Sequence, residues 1–598
     1  MTKKRTFGWV QNPGEISKLR KVVSCLCPGT KENAELLQKR LPLIRHNDLI
    51  SDGDYKKFIR LLSGRTFPYQ DLKGKGPGKL GRRKALCTGL VQAMLDAQKY
   101  VTVTDMAGKN VNINKPYVDD WTADGYLRWA VSVGFIDYDD EKDSCTVSAI
   151  GRKLASTAIG SDDEKRILGE AILTYPPALR VLSIIAANAP DAVTKFEIGA
   201  QLGFKGEMGF TSIPQEQYVA YFCEAPDSEE KKKVRSNMEG DSDKYARMIA
   251  GWLSQLGWVT KNSKTVSETF LGITYSGAKI GDAYQISMAG ITALKKANGY
   301  SRYPRMPRRV MFQMLASKAP GVEFLRKRRA GIIEALSASP KSAAAIESHL
   351  RSMDVSTNED TIKDDIAGLN SIGLSISFDG SKYKLNDNVI ALKIPKERIV
   401  ADDIIKLKDD IAKNLKHIDH RYLVLVDYAY SDKNGAQKNA DARQFEIETA
   451  NLFTNELEFK GERLGDADKP DIIIYHDANG TIIDNKSYKD GFSVDKHCAD
   501  EMHRYIVHNR NRKPGVPKNE WWKKFGSGVS NFTFLFITSK LVGNYKKNLE
   551  ELSANSGING GAIGIDSLLY LSDKIKSNSM SYDSFFDLMK NDEIVITA

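Results

Sequence analysis

At 598 residues the chain is too long for one hydrophobic core, so about three to five domains are expected. Hydrophobic residues at 41% and aromatics at 9% exclude a disordered chain, and no run reaches the apolar length of a transmembrane helix. A formal net charge of +11 favours an anionic partner. The six cysteines include no Cys-x-x-Cys pair, which argues against a zinc site or a disulfide framework. The opening MTKKRTFGWVQNPG carries charge but no apolar h-region, so a cytoplasmic location and no membrane partner are expected.

The N-terminal half holds a weak repeat. Tyr126 to Leu154 reads as an amphipathic helix, a Gly-led strand, a turn-rich acidic stretch and a strand closing on Ser-x-x-Gly. Tyr245 to Leu294 follows the same plan, with AYQISMAGITAL expected as its closing strand. Thr361 to Leu385 is a shorter third copy. The glycine after each helix suits a left-handed C-cap. Lys195 to Leu202 and Ala343 to Arg351 supply leading helices for the second and third copies. Any small α+β domain shows a helix before a hairpin, but three copies with one ending favour winged helix-turn-helix modules, which read DNA. Three basic runs accompany them: the Gly-rich Lys73 to Lys84, Tyr303 to Arg309, and Arg326 to Arg329. Such runs are either solvated surface or contacts to DNA phosphates.

Asn386 to Asp403 loosens into a linker pattern. Helices are expected over Ile404 to Leu415, over Gln444 to Leu457 (carrying Glu446) and over His497 to Asn509, with a strand at Phe532 to Ile537. Between them, Lys469 to Phe492 reads as a β-hairpin. Apolar runs at Ile472 to Tyr475 and Ile482-Ile483 flank Asn479-Gly480, a pair that suits a type I′ turn. Strand alternation puts Asp484 and Lys486 on one face with Asn485 pointing away, and the hairpin can bring Asp471 beside them. Two carboxylates and an ammonium at one point can hold a hard divalent cation and steer an attacking water, as phosphodiester hydrolysis requires. The bland alternative is a solvated strand end, since Asp163-Glu164-Lys165 is a similar triplet with no strand around it. The preceding Pro470-Asp471 completes the PD-(D/E)-x-K pattern of Mg²⁺-dependent nucleases. His476, His497, His503 and His508 show no ligand spacing with these carboxylates.

RTFGWVQNPG near the start, DGYLRW at Asp124, TYPPALR at Thr174, GFTSIP at Gly209, SDKYARMIAGWL at Ser242, ADEMHRY at Ala499, NEWWK at Asn519 and GNYKKNL at Gly543 are spread over nearly the whole chain. On these stretches the chain resembles the FokI-like family of type IIS restriction endonucleases. The resemblance implies a multidomain α+β and α/β protein, with winged-helix recognition subdomains over 1–163, 164–298 and 299–385. A linker over 386–403 and a PD-(D/E)-x-K nuclease domain over 404–598 would follow. It implies Asp471, Asp484 and Lys486 as catalytic residues, with Asp471 and Asp484 on Mg²⁺. Asn485 stands where the relative has Thr.

The family's DNA-reading positions fall on Gln11, Asn12, Arg82, Trp121, Glu239 and Lys244, types that suit base edges. One departure is Ser236 where the family has a base-reading Asn, with Asn237 next to it. Asp500 and Arg504, which could form an ordinary intrahelical pair, correspond to a pair that joins two cleavage domains. The implied activity is binding of a short asymmetric double-stranded DNA site, GGATG or a close relative, and cleavage of both strands at a fixed distance outside it. A transient homodimer and a companion DNA methyltransferase go with it. The alternative is a DNA-binding or nicking relative without double-strand cleavage.

Overall fold

A computed structural model of the protein describes Val10 and residues 13–47, 52–64, 66–67, 100–114, 120–139, 144–207, 214–239, 243–270, 273–300, 303–316, 321–431, 436–465 and 468–598. The three repeated stretches each form a helix followed by an antiparallel hairpin. The first contains α1 (Asp120–Ser132), β1 (Ile136–Asp139), β2 (Ser144–Val147) and α2 (Ala149–Ala155). The second contains α3 (Lys244–Gln255), β3 (Val259–Phe270), β4 (Ile273–Ile286) and α4 (Met288–Asn298). After α5 (Glu323–Ala338), the third contains α6 (Glu359–Ser371), β5 (Ile376–Phe378) and β6 (Tyr383–Leu385).

All three leading helices stop in the same way. Gly134, Gly257 and Gly373 take positive φ. The next N–H then reaches back to a carbonyl in the last turn: Phe135 to Ala130, Trp258 to Leu253 and Leu374 to Leu369. This pattern satisfies helix-end carbonyls and turns the chain into the wing.

The Ser-x-x-Gly ending is not a strand end, and AYQISMAGITAL is only half strand. β4 stops at Ile286, and Ser287 caps α4 by accepting from the Gly290 N–H at 3.1 Å. Ser148 caps α2 through the Gly151 N–H at 3.0 Å. Each serine hydroxyl also donates to the helix-ending glycine, Ser148 to Gly134 O and Ser287 to Gly257 O, both at 2.7 Å. A Cβ at Gly151 or Gly290 would lie 2.1 Å from the carbonyl oxygen of Phe135 or Trp258. The repeated motif is therefore a clip that docks a second helix on the first, and a serine cap interrupts what alternation alone reads as one strand. Trp129 of α1 and Trp252 of α3, each five residues before its glycine, stack at 4.0 Å. The two repeats share one core that also takes in α5 and α6.

Two of the three basic runs are internal. Arg308 is fully buried, and both it and Arg305 face Asp387, at 3.4 and 2.6 Å. Arg309 donates to Val131 O. On α5, Lys327 donates to Glu397 O, Arg328 binds Asp365 at 2.6 Å, and Arg329 binds Asp365 at 2.7 Å and also Glu207. Arginine stems buried against carboxylates are neither of the two readings weighed for these runs, solvated surface or phosphate contact. Lys73 to Lys84 lies outside the described residues. The segment 386–403 is less loose than its composition indicates: Val389 and Ile390 pair in parallel with Arg308 and Arg309, and Leu392, Ile394 and Ile399 pack on the N-terminal core.

The C-terminal domain begins with α7 (Asp403–Asn414) and α8 (Ala436–Asn451). Its six-stranded sheet runs in chain order: β7 (Lys460–Arg463), β8 (Ile472–His476), β9 (Asn479–Lys486), β10 (Asn531–Thr538), β11 (Gly560–Gly564) and β12 (Asp592–Ile594). The first three strands are antiparallel and the rest parallel. Alternate residues of β9 and β10 enter two separate cores. Ile483, Leu535 and Ile537 face α7, α8 and the helix Ile565–Lys576, while Ile482, Phe534 and Phe536 face α9 (Lys496–Asn511). Burial on both faces explains the near-continuous apolar run of β10.

The hairpin turn sits two residues earlier than Asn479-Gly480. His476 pairs with Asn479, leaving Asp477-Ala478 as the two-residue loop with Asp477 at φ 48. Gly480 is a strand residue instead, and a Cβ there would lie 2.8 Å from Val529 and 3.0 Å from the Phe525 ring. Aspartate tolerates the left-handed region, so it takes the turn while glycine serves packing. The shift matters, because a turn at Asn479-Gly480 would pair Asp471 with Tyr488.

The two parts of the chain are docked. Arg328 binds Asp409 of α7 at 2.7 Å, Lys416 binds Asp360 at 2.8 Å, Lys408 donates to Gly206 O, and His420 meets Asp364. A cavity of about 430 Å³ lies between them, lined among others by Lys205, Arg328, Lys408 and Asp427.

Candidate active site

The register of β8 and β9 pairs Ile472 with Ile483, so Asp471 and Asp484 stand opposite each other where the hairpin opens. The Asp471 carbonyl accepts from Leu464 N and Gly465 N, and its carboxylate Oδ2 accepts from Asn485 N at 2.7 Å. Two residues along the same face, Lys486 Nζ lies 2.8 Å from Asp484 Oδ2. That contact is an ion pair on a buried oxygen, and among the described residues no further donor reaches Asp484 Oδ2. Asn485 points away from Lys486, as strand alternation requires, and its amide donates to the buried Thr449 on α8 at 2.8 Å.

Electrostatics set the character of the cluster. Burial, then the carboxylates of Asp484 and Glu446, hold Asp471 well above the ordinary carboxylate range. Burial opposes the Lys486 ammonium, but Asp484 outweighs it and raises the pKa above that of an ordinary lysine. Lys486 is thus a fixed cation at neutral pH. Crowded carboxylates fit a hard divalent cation, which would relieve their mutual repulsion.

Residues that the sequence reading left without a role complete the site. Glu446 on α8 binds Arg463 of β7, whose Nε and Nη2 lie 2.8 and 2.5 Å from one oxygen, Oε2. Burial raises the pKa of Glu446 despite Arg463, and Asp484 adds to the rise. Glu501 of α9 lies 3.8 Å from Lys486. Tyr505 is pushed up to about 12 by burial, with Asp484 and Glu501 contributing. The signal available in sequence was only that Glu446 sits on a helix just before the hairpin.

Of the histidines, His497 reaches the edge of this cluster, with Nδ1 3.7 Å from Glu501 Oε2. His476 stacks on Tyr582 at 4.1 Å. His497 lies with Asp495 and Cys498 within 4.8 Å, but Asp495 already caps α9 and burial pushes the Cys498 thiol up to about 12, which disfavours the thiolate that a metal needs.

Asp500 and Arg504 are exposed on one face of α9. Arg504 reaches toward Asp468 at 3.9 Å, and among the described residues no Asp500–Arg504 pair forms. Of the DNA-reading candidates, Gln11, Asn12 and Arg82 lie outside the described residues. Trp121 is on α1, and Asn237 and Glu239 belong to the helical turn Arg235–Glu239, whose Ser236 is exposed. Lys244 is the first residue of α3, partly buried, in the second repeat.

Comparison with known proteins follows this architecture. Residues 5–157 match the family described as FokI recognition domain subdomain 1, 164–300 subdomain 2, 315–381 the FokI D3 domain and 401–596 the FokI cleavage domain. The chain is 33% identical to the type II restriction enzyme FokI of Planomicrobium okeanokoites, covering 99% of this chain and all of that one. It is 30% identical to the type II restriction enzyme StsI of Streptococcus sanguinis, covering 96% and 93%. Solved structures of restriction endonuclease FokI, alone and bound to DNA, superpose with a TM-score of 0.83 at 32% identity, over 99% of this chain and 100% of each.

Proposed function

The chain belongs to the FokI family of type II restriction endonucleases, and from that premise we propose a type IIS enzyme that cuts both DNA strands at a fixed distance outside its site. Recognition falls to residues 1–385, with GGATG or a close relative as the site. Cleavage falls to residues 404–598 with Mg²⁺ as cofactor. The observation that carries the reading is Asp471 opposite Asp484 with Lys486 at 2.8 Å, in a domain matched to a cleavage domain.

Asp471 and Asp484 are the residues that would hold the cation. The bound ion supplies Lewis-acid polarisation of the scissile phosphate and a more acidic water. The Asn485 N–H fixes the Asp471 carboxylate beside that of Asp484. Lys486, charged through its pairing with Asp484, orients the attacking water and offsets negative charge building on the phosphate oxygens as the P–O bond breaks.

One such cluster serves one strand. A second copy related by a two-fold axis supplies the second with the right polarity, and exposed Asp500 and Arg504 suit a reciprocal contact. The host would carry a protecting DNA methyltransferase, and the enzyme would act in the bacterial cytoplasm. Incubation with plasmid and Mg²⁺ tests the reading: linear DNA with ends at one offset supports it, nicked circles favour the nicking alternative, and uncut plasmid overturns both.

A further inference from the structure

Glu446 and Arg463 come from elements that sequence separates and the fold joins. Arg463 sits on β7 paired with Ile472, next to Asp471, and the following N–H groups of Leu464 and Gly465 bind the Asp471 carbonyl. Both guanidinium contacts land on Oε2 of Glu446, whose carboxylate is close enough to those of Asp471 and Asp484 to act on them electrostatically. One turn along α8, Thr449 accepts from Asn485 of β9. Helix α8 is therefore pinned at two points, to β7 by Arg463 and to β9 by Asn485, with the acidic cluster between them. Arg463 is itself nearly buried, so its geometry is held by packing as well as charge.

We propose that Arg463 is a positioning residue for cleavage: by clamping one oxygen of Glu446 it presents the other beside Asp471 and Asp484, making a third carboxylate available where the cation binds. The proposal rests on the nuclease reading above. A planar guanidinium that donates twice fixes both distance and orientation of its partner, which a free carboxylate side chain lacks. It also offsets one of three like charges, so the cluster survives without metal. Arg463 touches neither substrate nor cation; it acts through Glu446.

Partners that orient a metal-binding group change metal affinity by roughly 10–100-fold when removed. Terbium luminescence, titrated on the full-length protein without DNA and corrected with Asp484→Ala, should show Arg463→Ala binding more weakly by that factor. Half-saturating Mg²⁺ for plasmid cleavage should rise in parallel, and Arg463→Lys, which keeps the charge but loses the double donor, should recover only part of the loss. Unchanged terbium affinity in Arg463→Ala, or full recovery in Arg463→Lys, overturns the proposal. If Arg463→Ala does not fold, Glu446→Gln carries the same expectation, and unaltered metal affinity in it is equally fatal. A wild-type protein that binds terbium but never cuts DNA would refute the nuclease reading alone, since the affinity comparison still decides the role of Arg463.

Discussion

Asp471→Asn should stabilise the protein while destroying its activity. Among the described residues Asp471 has no salt-bridge partner; it is crowded by burial and by the carboxylates of Asp484 and Glu446, which hold its pKa well above the usual range. An asparagine keeps an oxygen for the Asn485 N–H and removes the repulsion. Two like charges about 4 Å apart repel by about 4 kcal/mol at an effective dielectric constant near 20. Local relaxation and the Asn485 hydrogen bond absorb part of this, leaving about 2 kcal/mol, or about 4–8 °C in the melting temperature of a domain this size. The sign with pH follows from linkage. A carboxyl raised in the folded state costs nothing below its unfolded pKa of about 3.9. The cost grows as pH climbs from there to the folded value, then stays constant. The advantage of Asp471→Asn in EDTA should therefore be near zero at about pH 4 and grow as pH rises. Calorimetric melts of the full-length protein at increasing pH measure it. A variant that melts at or below wild type at pH 8, or whose advantage does not grow with pH, would refute the electrostatic account of the site.

Other expectations concern recognition and assembly. Lys244→Ala should weaken specific binding by about 1–3 kcal/mol and random-DNA binding much less; gel shifts showing equal losses would make Lys244 a phosphate contact. Asp500→Arg should stop double-strand cutting, and mixing it with Arg504→Asp should restore it, because charge reversal on both sides rebuilds the pair; a fully active Asp500→Arg would remove the dimer. Arg328→Ala leaves buried Asp365 with Arg329 alone and partly buried Asp409 without its Arg328 pair, a loss of about 3 kcal/mol across the docked parts. Small-angle scattering should then report a larger radius of gyration, and an unchanged radius would show the docking held elsewhere.

The hairpin was legible because its two apolar runs and its Pro-Asp and Asp-x-Lys ends are local signals. Its turn was misplaced because glycine has two uses, and packing against Phe525 and Val529 claimed Gly480 before the turn could. The repeat was visible from its glycine-ended helices, whereas its Ser-x-x-Gly ending looked like a strand because alternation does not register a cap. The basic run on α5 looked like a DNA contact because charge in sequence carries no direction; only the fold shows Asp365, Asp409 and Glu207 waiting for it. Glu446 and Arg463 could not be joined in advance, since their contact depends on how α8 lies across β7.

The most direct measurement of the central claim pairs two assays on Asp484→Ala: cleavage of plasmid in Mg²⁺ and gel shift on site-bearing DNA in Ca²⁺. Asp484 lies in the stretch matched to the cleavage domain, whereas the DNA-reading candidates lie in those matched to the two recognition subdomains. Loss of all cutting with unimpaired specific binding is the predicted result. Continued cutting by the variant would contradict the assignment of Asp471, Asp484 and Lys486 as the active site.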